Sequence, residues 1–444
     1  MDYVITKFGN YGKIYPIPEG ILAATLDKYL QYERQGKQFM PNPEWARVCL
    51  YKKKTGVFPW GLLKTVERVM DKYCVLHQHS FKITYMPLIG EVPESMAVTL
   101  RDYQKEAIAA LIKHHGGIIC LPTGAGKTIM IIEYLKLMNL HSLVIVPTID
   151  IRKQWQDYGV PNMIVSTYQN PRLKDKEYIG RFNILVFDEC HHVSAKSLYT
   201  LAMKTKTDTV LIGISASPTR EDGEDMKINA ALGEIVYHKP RRELIRQGWI
   251  ANAKVYYLKP EFTDTGRYMD YQQVYLSQIV NNAHRNKLII STALKEWRNG
   301  RKILILVSHI GHGDKLIMEA LRQIQDQKII PVPEVVFMNG KSKDRAQDMR
   351  IYDIIIATPI YDEGYDLPAL DCLILAGSGK SEIKLVQRVG RILRPKPDGR
   401  PAIIYDCADS IKYIKGHYLK RRRLLAEEFE IIDSEDQQSL LAED

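Results

Sequence analysis

The sequence predicts an α/β protein: two parallel-sheet domains in tandem behind a small α+β amino-terminal domain. Three observations carry this. Short apolar runs alternate with segments of helical spacing from Ile118 to Ile214 and again from Ile303 to Tyr405, the pattern of buried parallel strands joined by helical crossovers. Several runs stop at Gly, Pro, hydroxyl or acidic residues, as strands do at the ligand-facing edge of an open α/β sheet. At 444 residues the chain is long for one domain and suits two or three.

Composition narrows the class. A hydrophobic fraction of 45% and a charged fraction of 26% are ordinary for globular chains and exclude a disordered, collagen-like or membrane protein. No apolar run reaches the length of a bilayer span, and Met1 to Phe8 lacks the charged and apolar regions of a secretory signal. Cys49, Cys74, Cys120, Cys190, Cys372 and Cys407 stand singly, with no C-x-x-C pair, and read as reduced thiols. Neither His77-x-His79 nor His191-His192 has companions that complete a zinc set, so no metal other than Mg²⁺ is expected. A net charge of +10 and a pI near 9.0 favour a polyanionic partner through counterion release.

In chain order, the first 95 residues form the α+β domain. Strands are expected at 3–5 and 13–17, a helix at 21–35 with Leu22, Leu26 and Leu30 on one face, strands at 47–51 and 57–58, and a helix at 61–72. Between the middle strands lies the turn Lys52-Lys53-Lys54-Thr55-Gly56, with Tyr51, Phe58 and Trp60 beside it as exposed-looking aromatics. It is either a nucleic-acid contact, lysines on phosphates and rings stacked on bases, or a solvated hairpin tip. Residues 87–93 read as a linker. Domain boundaries are placed at 96–250 for the first parallel-sheet domain, 251–415 for the second and 416–444 for a charged carboxy-terminal helix and tail that frays.

The first parallel-sheet domain opens with Leu100-Arg101-Asp102-Tyr103-Gln104, where a Gln amide offers the donor and acceptor that match the edge of adenine. Leu121-Pro122-Thr123-Gly124-Ala125-Gly126-Lys127-Thr128 then follows the apolar run 118–120 and precedes a helical segment, the setting of a phosphate-binding loop. Its glycines let successive N–H groups close on an anion, Lys127 would reach the β- and γ-phosphates, and Thr128 would hold Mg²⁺. The strand 143–146 ends in Pro147-Thr148 ahead of Ile151 to Trp155, and 163–165 leads into Ser166-Thr167-Tyr168-Gln169; both fit either backbone contacts to a nucleic-acid strand or plain loops. The strand 184–187 delivers Asp188-Glu189, one carboxylate suited to Mg²⁺ and one to the attacking water. Ser215-Ala216-Ser217-Pro218 supplies small hydroxyls suited to sense that site.

The second parallel-sheet domain has strands at 303–308, 354–358, 373–376 and 402–405 and no phosphate loop. It carries Glu363-Gly364-Tyr365-Asp366 and Gln387-Arg388-Val389-Gly390-Arg391-Ile392-Leu393-Arg394. Three arginines at a spacing of three share a helical face and call for an anion among them. Tyr268, Tyr271 and Tyr275, between the two halves, read as a strand-separating wedge or a packed linker.

Taken together over roughly Val98 to Asp406, these motifs resemble a superfamily two helicase, and Asp188-Glu189-Cys190-His191-His192 with Gln387-Arg388-Val389-Gly390-Arg391 is similar to the DNA-acting group of UvsW, XPB and type III restriction subunits. Modest size and a small amino-terminal unit most resemble the UvsW-like helicases of tailed phages. The resemblance implies two RecA-like domains with ATP in the cleft between them, movement 3′ to 5′ along a strand, and work on branched DNA in recombination, repair or replication. It implies Arg101, Gln104, Thr123, Gly124, Ala125, Gly126, Lys127, Thr128, Gly364, Asp366 and Gln387 around the nucleotide, Thr128 and Asp188 on Mg²⁺, Lys127, Asp188, Glu189, Arg391 and Arg394 in catalysis, and Pro147, Thr148, Thr167, Ser308 and Thr358 on the strand. Departures are Leu121 for the first Gly of the loop and Ser217 where Thr is usual. ATP and Mg²⁺ are the expected cofactors and DNA the expected partner of a monomer in the cytoplasm, a host's if a phage encodes it; phosphate contacts alone leave RNA open. A double-strand translocase or restriction motor, and an ATP-switched clamp, are the competing readings.

Overall fold

The computed structural model describes residues 2–34, 40, 42–84, 100–216, 224–250, 252–262, 270–339, 351–358, 370–377 and 399–432. After Lys239 the chain passes from one compact unit to another. Among the described residues the first contains an amino-terminal α+β part and a parallel-sheet domain. The amino-terminal part is built from β1 (Asp2–Phe8), β2 (Tyr11–Tyr15), β3 (Gln31–Glu33), β4 (Arg47–Cys49), β5 (Val57–Pro59) and β6 (Ser80–Thr84), with helices α1 (Gly20–Tyr29) and α2 (Leu63–His77). Four strands run in the order β5-β2-β1-β6, while β3 and β4 form a separate antiparallel pair. The tight β1–β2 hairpin is antiparallel, whereas β6 returns through α2 and pairs parallel to β1. Alternation along β1 buries Tyr3 and Ile5 against Leu22, Leu26, Leu30, Val66 and Met70.

Local signals placed most of these elements and missed two. The first helix ends at Tyr29 rather than running to Gln35, because residues 31–33 are taken as a strand by β4. The strand β6 lies in a stretch for which no element was predicted. The aromatics beside the lysine turn are not exposed: Tyr51 is 4% and Phe58 0% accessible, and Lys7 sits 5.5 Å above the half-buried Trp60 ring. Phe58 points inward from β5, and Tyr51 packs into the same core from the other side of the turn.

The sheet of the parallel-sheet domain comprises β7 (Gly117–Cys120), β8 (Ser142–Val146), β9 (Met163–Thr167), β10 (Ile184–Asp188), β11 (Val210–Ser215) and β12 (Ile235–His238), in the order β12-β7-β11-β10-β8-β9. Helix α3 (Asp102–His114) leads into β7, and α4 (Lys127–Met138) and α5 (Ile149–Gln156) are crossovers between successive strands. The amino-terminal sheet docks onto this domain. Asn10 is 6% exposed, and its amide donates to the carbonyls of Ala231 at 2.7 Å and Ala202 at 3.3 Å. Gly61 passes so near the helix Asp225–Leu232 that a methyl group there would strike the Asn229 carbonyl and lie 2.7 Å from the Gly233 nitrogen.

The second unit holds a seven-stranded parallel sheet of β13 (Ala253–Leu258), β14 (Ile303–Leu306), β15 (Val335–Met338), β16 (Ile354–Ala357), β17 (Cys372–Leu375), β18 (Ala402–Cys407) and β19 (Glu430–Ile432), ordered β15-β16-β14-β17-β18-β13-β19. The helix Lys415–Glu428 does not simply fray, since the chain beyond it forms β19 on the sheet edge beside β13. Among the described residues, Arg285 pairs with Asp409 at 2.9 Å, both fully buried, and Arg421 with Asp406 at 2.9 Å. Tyr271 and Tyr275 stack at 6.1 Å, and Tyr275 joins a small cluster with Val274, Ile279 and Ile414, as a packed linker does; Tyr268 lies outside the described residues. Among the described residues no helix is long and apolar enough to cross a membrane.

Asn10→Ala leaves the Ala231 carbonyl unpaired and should destabilise the first unit by about 1–3 kcal/mol. Gly61→Ala overpacks the same seam at a similar cost, about 1–3 kcal/mol. Thermal melts with limited proteolysis should show earlier cleavage within residues 1–84 in both variants; unchanged melting in both would mean the seam contributes nothing.

Candidate active site

All strands of a parallel sheet end on one edge, and here β7, β11 and β10 are adjacent, so their carboxyl ends assemble three segments side by side. The first is the loop after β7. Gly124 and Gly126 adopt φ of +86° and +73°, a region closed to most side chains, and α4 starts immediately after them. The Lys127 ammonium folds back over the loop onto the carbonyls of Leu121 at 3.0 Å and Pro122 at 3.3 Å. A cation facing neutral carbonyls at a helix amino terminus is the electrostatic complement of a phosphate. Leu121 in place of the first Gly is fully buried and its N–H donates to the Ser215 carbonyl at 3.1 Å, which ties the loop to β11.

Gln104 reaches this loop from α3. Its amide oxygen accepts from the Arg101 N–H at 3.0 Å, and its amide nitrogen donates to the Gly126 carbonyl at 3.4 Å. A methyl group on Gly126 would lie 2.6 Å from that nitrogen, so the glycine serves both the turn and this approach. Gln104 is 4% exposed, and its donor and acceptor bind the protein itself in this state.

The second segment is the end of β10. Asp188 is 8% exposed and receives four contacts: the indole N–H of Trp155 donates to Oδ2 at 3.0 Å, the Glu189 N–H to Oδ1 at 3.0 Å, the Tyr168 hydroxyl to its carbonyl, and Lys127 adds a favourable charge. Burial, followed by the charge of Glu189, nevertheless pushes the Asp188 carboxyl above its ordinary range. Glu189 has φ +48°, sparsely populated for a residue with a side chain, which turns its carboxylate off the strand line. Burial alone would raise its pKa as well. The hydrogen bond from His191 and the charges of Lys127, His191 and His192 outweigh burial and hold Glu189 below the usual range. Ser215, the third segment, lies with its hydroxyl 3.4 Å from Glu189 Oε2 and 3.4 Å from His191 Nδ1, which is itself 3.4 Å from Glu189 Oε2. Asp188, buried, and Glu189, whose side chain is 22% exposed, form an acidic pair whose hard oxygen donors fit a divalent cation.

Other predicted positions fall into place unevenly. Pro147 and Thr148 follow β8, Thr167 ends its neighbour β9, and the Thr148 hydroxyl accepts from the Ile151 N–H at 3.3 Å as the cap of α5. Ser308 and Thr358 follow the adjacent strands β14 and β16 on the corresponding edge of the other sheet, and Thr358 is 7% exposed. Lys53 is tied to Asp27 at 2.9 Å, so the lysine turn does not present three free cations. Ser217, Pro218, Gly364, Asp366, Gln387, Arg388, Arg391 and Arg394 lie outside the described residues. Trp155 and Tyr168, each within a segment read as strand contact or loop, turn out to hold Asp188; their residue types were visible in the sequence, but their approach to Asp188 was not.

A phosphate loop beside strand-end carboxylates, on a parallel sheet, defines the P-loop nucleoside triphosphatases among α/β proteins. Comparison with known proteins carries this further. The family described as type III restriction enzyme, res subunit, matches residues 97–159 and 159–220, and the helicase conserved C-terminal domain matches 284–396. The chain belongs to the superfamily two helicases and is an ATP hydrolase, as its motifs led us to expect. It is 29% identical over 354 residues to a protein of Sulfurisphaera tokodaii named DNA 3′-5′ translocase XPB2, covering 67% of this chain and 79% of that one. It is 24% identical over 444 residues to the ATP-dependent DNA helicase uvsW of Enterobacteria phage T4, covering 87% and 86%. A solved fragment of a putative HsdR subunit of a type I restriction enzyme from Vibrio vulnificus shares the fold, with a TM-score of 0.55 at 18% identity over 72% of this chain and 68% of that one.

Because the Trp155 N–H stabilises the charged form of Asp188, its removal lets the carboxyl keep its proton to higher pH. Trp155→Phe should therefore move the acid limb of the kcat/KM profile for ATP hydrolysis upward, while activity well above that limb is retained. A profile displaced downward would show that the indole does not act through Asp188.

Proposed function

We propose that this protein is a DNA motor that uses ATP hydrolysis to move 3′ to 5′ along a strand and so unwinds or remodels branched DNA. One observation carries the reading: the anion-binding loop, the Asp188-Glu189 pair and Ser215 arrive together on three neighbouring strand ends. DNA as the substrate rests on relatives named as a DNA translocase and a DNA helicase, and on the net charge of +10.

The loop N–H groups and Lys127 bind the β- and γ-phosphates, while Arg101 and Gln104 lie at the adenine end, the Gln104 amide exchanging its internal partners for the base. Thr128 and Asp188 would hold Mg²⁺, which supplies neutralising charge at the phosphates. Glu189, kept ionised by His191, orients a water and takes its proton at a carboxylate oxygen as the water oxygen bonds to the γ-phosphorus and the bond to the bridging oxygen breaks. Ser215 touches Glu189 and closes the strand leading to Ser217, so it is placed to report the state of the site along the carboxyl edge. Pro147, Thr148 and Thr167 on one sheet, and Ser308 and Thr358 on the other, contact the backbone of the tracked strand. Arg391 and Arg394 stabilise charge at the transferring phosphate.

Lys127→Ala should abolish ATP turnover while DNA binding at low salt persists, and Glu189→Gln should lower kcat by about 10²–10⁴-fold with nucleotide binding retained. Full turnover in either variant would remove the assignment. Arg391→Ala should lower kcat by about 10³-fold or more with a smaller effect on KM, a pattern distinct from lost ground-state binding. Strand displacement compared across forks, Holliday junctions, 3′- and 5′-tailed duplexes and RNA duplexes decides the substrate. DNA-stimulated ATPase without any strand displacement would make the chain a translocase on duplex.

A further inference from the structure

We propose that a lysine-lined groove on the first unit, on the connection between β9 and β10 and the helix Lys196–Met203, holds the phosphate backbone of a duplex arm. The inference rests on the DNA-motor reading above and names the surface that reading lacks, since movement along one strand does not by itself hold a duplex.

The basic segments that sequence alone offers for this task are largely committed elsewhere. Lys53 is bound to Asp27 at 2.9 Å. Within the run 420–423, Arg421 is buried on Asp406 at 2.9 Å and Arg422 packs its guanidinium 5.3 Å from the Tyr257 ring centroid. In contrast, Lys174, Lys176, Lys196 and Lys204 line one groove, and all four are exposed. The exposed Lys206 extends the row, its Cε 3.1 Å from where a side chain on Gly180 would begin. None of the five makes an ion pair with a described carboxylate. Asp175, the one carboxylate among the lining residues, is occupied in capping the Glu177 N–H at 2.9 Å.

Five exposed ammonium groups against the single Asp175 carboxylate leave this surface net positive, so an extended polyanion bound there releases its condensed counterions to bulk solution. The floor, Leu173, Ile179 and Leu201, belongs to the domain core and is 8%, 3% and 4% exposed, while the charge around it is carried by the exposed lysines. Flexible lysine stems, without the planar forks of arginine or base-reading amides, suit phosphates spaced along a backbone with no sequence preference.

The test uses the full chain with all five lysines replaced by Ala, and separately with Lys196→Glu and Lys204→Glu. Affinity for a blunt duplex and for a short single strand is measured between about 50 and 200 mM salt, the span over which phosphate contacts change affinity most visibly. The expected result is a duplex slope of log affinity against log salt shallower by up to about 4.5, at about 0.9 per phosphate contact, with the single-strand ATPase unchanged. The charge-reversed pair should lose more duplex affinity than Lys196→Ala with Lys204→Ala. An unchanged duplex affinity and slope would overturn the inference while leaving the motor reading intact; a wild-type protein that binds no DNA would overturn both. Loss of poly-glutamate binding with duplex binding preserved would also overturn it, assigning the groove to an acidic polypeptide.

Discussion

Two carboxylates on consecutive residues, at the end of a strand buried on both faces, repel each other where water screens them poorly, and the first domain is arranged around that constraint. Asp188 and Glu189 part company through the backbone: the left-handed turn at Glu189 sends the two groups to different partners. Asp188 is held by an indole, a main-chain N–H and a phenol bound to its carbonyl, and Glu189 by His191 and Ser215. One carboxyl is left inclined to keep its proton and the other to lose it. Unequal neighbours of this kind push the pKa values of two adjacent carboxyls apart. The fully buried Trp155 belongs to α5, which Thr148 caps, and Tyr168 follows Thr167, so residues at the proposed strand-contacting edge adjoin those that hold the acidic pair.

The charge count takes on a different meaning once the side chains are placed. A net charge of +10 reads as a uniform pull on polyanions, yet it does not say which cations face solvent and which are paired inside the protein. Arg285 and Arg421 neutralise Asp409 and Asp406 within the second sheet domain, where an unpaired charge would cost several kcal/mol, about 3–5 in comparable buried pairs. Lysines that look dispersed along the sequence, at 174, 176, 196, 204 and 206, converge because the β9–β10 connection and the following helix cover the same side of the sheet. A basic triplet in sequence need not be a basic patch, and a basic patch need not be a triplet.

The amino-terminal sheet shows where local reading stops. Its turns and amphipathic helices were visible, since hairpin chemistry and helical periodicity are properties of neighbouring residues. Its parallel closing strand, Ser80–Thr84, was not, because pairing with Asp2–Phe8 joins residues nearly eighty positions apart and leaves no local signature. The same holds for Phe58 beside the lysine turn, whose direction depends on which face of β5 meets the core.

The sequence by itself determined the chemistry: a Gly-Lys-Thr loop between a strand and a helix, an Asp-Glu pair at a strand end, and two series of strands with helical crossovers are local patterns tied to fixed backbone geometries. Only the tertiary structure decided which strands are neighbours, and with that the meeting of Leu121, Ser215 and Asp188 on one edge, the grip of Trp155 and Tyr168 on the acidic pair, and the engagement of Gln104 with Gly126. Strand order is set by how buried faces pack across the whole domain, an interaction among residues distant in the chain, and no window of sequence contains it.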